Sequence, residues 1–219
     1  MQSLTSPSYV EEKPLLRGHS HQAMFFVSIG ACVPLIFRAH TSLEMVAMIV
    51  YTFGVLAMFG MSALYHRVNW SLPKESIFQK LDHACIFIMI AGCFTPVALL
   101  GLSEDSARTL LYTIWGVAVL GIFQSMFFVN IPNYLTASLY LVAGYIFVPY
   151  LPEIRGSLGA ANFGLIIAGG VSYTIGAVVY GLRKPMLWPK YFGYHEVFHV
   201  FVNIGAILHY IVISSLIGF

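Results

Sequence analysis

Seven runs of predominantly apolar residues, at about 22–37, 44–66, 81–101, 108–129, 133–151, 161–181 and 195–217, divide this chain from end to end. Most of them reach the roughly 20 residues that an α-helix needs to cross about 30 Å of hydrocarbon. The first is short and borrows flanking residues, with Arg38 snorkelling to the headgroups. Within lipid every backbone polar group must be bonded inside the protein, which leaves only helices or closed barrels. Barrel strands would alternate apolar and polar residues over about ten positions, and these runs do not alternate. Composition agrees: 58% of residues are hydrophobic and 9% are charged, whereas a soluble domain carries about 25% charged residues. The mean hydropathy is +0.80. The expected fold is an all-α integral membrane protein, a seven-transmembrane-helix bundle. Residues 1–21 are a polar N-terminal arm and 22–219 the membrane domain.

Pro34, Pro96 and Pro149 fall inside or near the ends of these runs, which membrane helices tolerate. The N-terminal arm has no apolar core followed by a small-residue cleavage site, so the first run serves as an uncleaved signal. Cys32, Cys85 and Cys93 lie in apolar stretches and form no C-x-x-C pair. That spacing excludes a disulfide framework or a thiolate zinc site, and buried free thiols are expected. No block of basic residues points to nucleic acid. Membrane lipids are the expected surroundings, and the oligomeric state stays open.

Orientation follows from the charges. Seven crossings put eight of the eleven basic residues on the N-terminal side: Lys13, Arg17, Arg67, Lys74, Lys80, Arg183, Lys184 and Lys190. Arg38, Arg108 and Arg155 fall on the other. Lysine and arginine favour the cytoplasmic loops, so the N-terminus is expected inside and the C-terminus outside. Trp70 and Trp188 then lie in inner loops as interfacial anchors.

This topology has a chemical consequence. The second run ends at the inner face with His66, the third begins there with Asp82, and the seventh begins there with His195 and His199. A separation of four puts the last two imidazoles on one helix face, a turn apart. A lone histidine at a helix end is ordinarily a residue satisfied near the headgroups. Three at one depth beside an intramembrane acid form a different pattern, since such groups are costly without a partner. Neutral imidazole is a good zinc ligand, and catalytic zinc sites keep three protein ligands and one open position. His66, His195 and His199 are thus the candidate zinc ligands. Asp82 is the candidate base, orienting the attacking water or taking its proton. Ser62, one turn before His66, is placed to bond a substrate carbonyl or that water.

The remaining histidines fit less well. His19 and His21 belong to the polar arm and are expected to be solvated, and His40 lies in the outer loop. His83 is turned about 100° from Asp82. His209 is about 15 Å beyond His199 by helical rise, too far to share an ion, and reads as a buried, hydrogen-bonded residue. His195-Glu196-x-x-His199 also matches H-E-x-x-H, where the glutamate is the general base of a zinc protease. The metzincin extension would need a glycine at 202 and a histidine at 205, and these positions are Val202 and Gly205. No acidic residue follows Glu196. Protease chemistry of that type is not expected, but Glu196 stays a rival to Asp82 for the base.

Three stretches carry a resemblance: Ser62-Ala63-Leu64-Tyr65-His66, Leu81-Asp82-His83, and Phe192-Gly193-Tyr194-His195-Glu196-Val197-Phe198-His199, with Leu16-Arg17-Gly18 ahead of the first run. Together they resemble the hemolysin III branch of the PAQR superfamily, which includes adiponectin and progestin receptors and is distantly similar to alkaline ceramidases. The resemblance implies seven helices, an N-terminus inside, and zinc near the cytoplasmic face on His66, His195 and His199, with Asp82 and Ser62 close by. The bacterial branch is the nearer match, which implies a bacterial inner (plasma) membrane. The functional expectation is a zinc-dependent hydrolase of lipid amide or ester bonds, ceramide-like substrates included. The alternatives are a non-enzymatic membrane sensor stapled by zinc and, with less support, a hemolysin-like pore former.

Overall fold

The computed structural model describes residues 13–128 and 130–217, and residues 1–12 of the expected N-terminal arm lie outside them. The described chain is helical: α1 (His19–Arg38), α2 (Ser42–Arg67), α3 (Leu72–Gly101), α4 (Glu104–Phe127), α5 (Asn133–Tyr145), a 3-10 turn (Val148–Tyr150), α6 (Leu151–Leu182) and α7 (Tyr194–Leu216). Six helical stretches among the described residues are long and apolar enough to span a membrane, with Asn133–Leu182 counted as one. The protein is an integral membrane helical bundle.

Local chemistry explains the boundaries. Thr41 and Glu44 start α2 with a reciprocal capping box, in which the Glu44 amide donates to Thr41 Oγ1 at 3.2 Å. α3 begins at Leu72, well before the expected 81, because Pro73 and Glu75 suit the first turn of a helix still outside the apolar run. α5 and α6 depart from the expected 133–151 and 161–181. The break falls at the 3-10 turn containing Pro149, and Gly159 (φ 76°, ψ 169°) interrupts α6 in a region that side chains other than glycine avoid. α5 and α6 run antiparallel: Arg183 donates to Asn133 Oδ1 at 3.1 Å, and Tyr145 bonds Thr174 at 3.0 Å.

α3 is the axis of the bundle and packs against α2, α4, α5, α6 and α7. In its most apolar stretch 72% of residues are buried, against 22% in α1 and 28% in α4. Gly54 and Gly92 let α2 and α3 touch backbone to backbone, since a Cβ on either would meet the facing carbonyl at about 3.1–3.2 Å. The outward faces carry Phe26, Phe37, Phe53, Tyr112 and Leu120, all exposed as a lipid-facing surface requires. Cys32, Cys85 and Cys93 are free and buried.

Candidate metal centre

One end of the bundle gathers the polar residues. His66 lies in the last turn of α2, while His195 and His199 open α7. The Nε2 atoms of His195 and His66 are 3.1 Å apart. The ring centroids of His66 and His199 are 5.2 Å apart, and those of His195 and His199 are 4.6 Å apart. One nitrogen from each of the three rings lies within 4.8 Å of the others. Nitrogens bound tetrahedrally to zinc at about 2.05 Å sit roughly 3.4 Å from one another. The three nitrogens thus stand within about 1.4 Å of the spacing that a small divalent ion requires.

His66 and His199 are buried, and His199 Nδ1 has no hydrogen-bond partner among the described residues. Asp82, from the third turn of α3, is also buried, with Oδ2 3.7 Å from His66 Nε2. Ser62 is buried one turn before His66 and faces both Asp82 and α1.

His21 differs from its sequence expectation. It lies inside α1 rather than in a solvated arm, is 2% exposed, and shares a 2.8 Å hydrogen bond between Nδ1 and Ser62 Oγ. Its ring stacks on that of His199, with centroids 3.6 Å apart and planes 10° apart. Its Nε2 has no partner among the described residues. His21 thus supports one candidate ligand by contact and Ser62 by a hydrogen bond.

The cause of this burial is the segment just before α1. Leu15 and Leu16 donate backbone bonds to the Lys190 and Tyr191 carbonyls at 3.0 and 3.2 Å. Lys13 pairs with Glu75 at 2.7 Å, and Arg17 pairs with Glu196. Gly18, at φ 78°, passes so close to α2 that a Cβ there would lie 2.6 Å from His66 Cβ. Residues 13–18 therefore cross the histidine end of the bundle as a strap.

Glu196 is buried and fully engaged. One carboxylate oxygen accepts from the Gly193 amide at 2.7 Å, capping α7, and the other meets Arg17. His83 lines the cavity beside the histidines, and His209 donates from Nε2 to the Ile166 carbonyl at 3.2 Å.

Next to the histidines opens a cavity of about 280 Å³. His21, Ser62, Asp82, His195 and His199 line one end of it, and apolar side chains such as Met89, Leu141 and Ile167 line its body. Tyr145, Val148 and Val171 border it and are exposed on the outer face of the bundle. Such a site can hold an ion and a polar head at one end and a hydrocarbon chain along the other.

The chain is similar to known proteins over most of its length. Residues 9–210 match the sequence model of the family described as "Haemolysin-III related". The chain is 30% identical over 211 residues to Hemolysin-3 of Bacillus cereus, covering 94% of this chain and 92% of that one. It is 30% identical over 190 residues to the Hemolysin-3 homolog of Bacillus subtilis (strain 168), covering 85% and 86%. It is also 25% identical over 234 residues to an adiponectin receptor protein of Drosophila melanogaster, covering 93% of this chain and 52% of the receptor. The chain belongs to the haemolysin-III related family, the hemolysin III branch of the PAQR superfamily.

Proposed function

We propose that this protein is a zinc-dependent membrane hydrolase of lipid amide or ester bonds, ceramide-like substrates included, working at the cytoplasmic face of a bacterial inner membrane. One observation carries the reading: a cluster of three imidazoles, two of which line the cavity, stands with a buried carboxylate at one end of a largely apolar cavity. In this reading His66, His195 and His199 hold the ion. Zinc bound there would polarise the substrate carbonyl and lower the pKa of a water toward about 7. The antiparallel α5 and α6 count as two crossings, which makes seven. The basic residues then set the N-terminus inside and the C-terminus outside. The residues ahead of α1 form the arm, and the membrane domain begins with α1.

The chain's own residues supply the rest. Asp82 takes the proton of the attacking water and hands it to the leaving amine or alcohol. It suits this role better than Glu196, whose two oxygens are occupied by Arg17 and the Gly193 amide. Glu196 positions α7, and through it His195 and His199. When His21 Nδ1 carries the proton it donates to Ser62. The Ser62 hydroxyl then donates to Asp82 and fixes the orientation of that carboxylate. The acyl chain lies along the apolar cavity and reaches it sideways from the bilayer, past Tyr145, Val148 and Val171.

A second reading keeps the ion and discards the reaction. The histidines join α2 to α7, helices that otherwise pack against other neighbours, so zinc could serve as a staple in a non-enzymatic sensor. Asp82→Asn separates the two. The hydrolase reading expects a purified variant that retains zinc and loses hydrolysis of acyl amides or esters. The staple reading expects zinc-dependent thermal stability and no hydrolysis from native protein at any pH.

A further inference from the structure

We propose that the deep end of the cavity is a second, polar subsite, built by Tyr173 and His209, for a hydroxyl group carried on a lipid acyl chain. The proposal rests on the reading of the cavity as a chain-binding site and adds what that chain carries.

Both residues line the cavity, and the helices are shaped to hold them there. His209 of α7 rests on Gly169 of α6, where any Cβ would collide with its imidazole. Tyr173 of α6 rests on Gly205 of α7, where a Cβ would come within 2.7 Å of the phenol ring. The two rings meet edge to face at 5.4 Å. Each helix thus gives up a side chain so that its neighbour can place an aromatic with a polar atom in the bundle interior. Polar groups in the hydrocarbon zone are expensive and need a partner or a purpose.

Each of the pair has one hydrogen-bonding function left over. The Ile166 carbonyl can only accept, so the 3.2 Å contact makes His209 Nε2 the donor. This leaves Nδ1 of the neutral ring as an acceptor, and no described residue donates to it. The Tyr173 hydroxyl is buried with no partner among the described residues. One unused donor beside one unused acceptor matches a hydroxyl, which can accept from Tyr173 and donate to His209 in the same pose. A methylene satisfies neither, and a keto group satisfies only one. His209 is ten residues past His199, or about 15 Å along the helix, a span of roughly a dozen chain carbons. The subsite therefore reads a hydroxyl near the middle of a long chain and ignores one beside the carboxyl group.

The test uses native protein in lipid nanodiscs, with stearic, 12-hydroxystearic and 2-hydroxystearic acids competing against a fluorescent fatty acid. A hydrogen bond contributes about fivefold in net affinity. The expected result is that 12-hydroxystearic acid binds roughly fivefold to tenfold more tightly than the other two, which match each other. Tyr173→Phe and His209→Phe should each erase most of that preference, read as the ratio of 12-hydroxystearic to stearic acid affinity in the same variant. Equal binding of all three acids to native protein would overturn the subsite and leave the chain cavity standing. So would a preference that survives Tyr173→Phe. If none of the acids displaces the probe, the subsite and the chain cavity fall together.

Discussion

The histidine end of the bundle and helix α4 treat polar side chains in opposite ways. Along α4, Thr109, Thr113 and Ser125 each donate to the carbonyl four residues back, and Arg108 pairs with Glu104 one turn away. Trp115, which reaches Thr95 of α3, and Ser106, which bonds Glu153 of α6, are exceptions. Around the histidines the partners are distant in sequence: His21 with Ser62, His195 with His66, and Arg17 with Glu196. A hydroxyl bonded to its own helix costs the membrane little and commits nothing to a neighbour. Polar groups that cross between helices must be placed by the whole fold, and leaving one unpaired is expensive. Between these two regions the difference is the distance to a partner, short along most of α4 and long around the histidines.

That contrast can be broken by substitution. The largest effect is expected at Asp82. Asp82→Asn should keep the metal and lower turnover on an acyl amide or ester by about 10²–10⁴-fold, the usual contribution of a general base. Parallel measurement of metal content and hydrolysis checks it. Next comes Arg17→Ala, which strands the buried Glu196 carboxylate and should cost roughly 3–5 kcal/mol, read as a fall in thermal unfolding temperature in detergent. His21→Ala removes the bond to Ser62 and the stack on His199, and should cost about 1–3 kcal/mol by the same assay. Thr113→Val is the control on α4, expected to stay within about 0.5 kcal/mol of native. If Thr113→Val matched His21→Ala, the distinction between local and crossing polarity would fail.

The parts legible in the sequence were those that depend on period and depth. Apolar runs long enough to span a bilayer mark helices without reference to their neighbours, and the ends of those runs brought His66, Asp82, His195 and His199 to one level. His21 departs from its sequence expectation for a physical reason. Its burial comes from the strap of residues 13–18, whose partners are Glu75, Lys190, Tyr191 and Glu196, and no local pattern reveals partners so far along the chain. Glu196 did carry a local signal. A glutamate three residues after Gly193, at the start of an apolar run, is the second half of a capping box, a role that the H-E-x-x-H pattern does not predict. The α5–α6 boundary depended on Gly159 and Pro149, which act on backbone geometry rather than on hydropathy. The glycine notches beneath Tyr173 and His209 have no sequence signature, because each belongs to a pair of helices.

The most direct test of this account is metal analysis of the purified protein beside His66→Ala and His199→Ala. The account predicts close to one zinc per native chain and almost none in either variant, with native thermal stability falling once a chelator has removed the ion. Native protein that carries no zinc after purification and takes up none when it is supplied, or variants that bind it as native protein does, would contradict it.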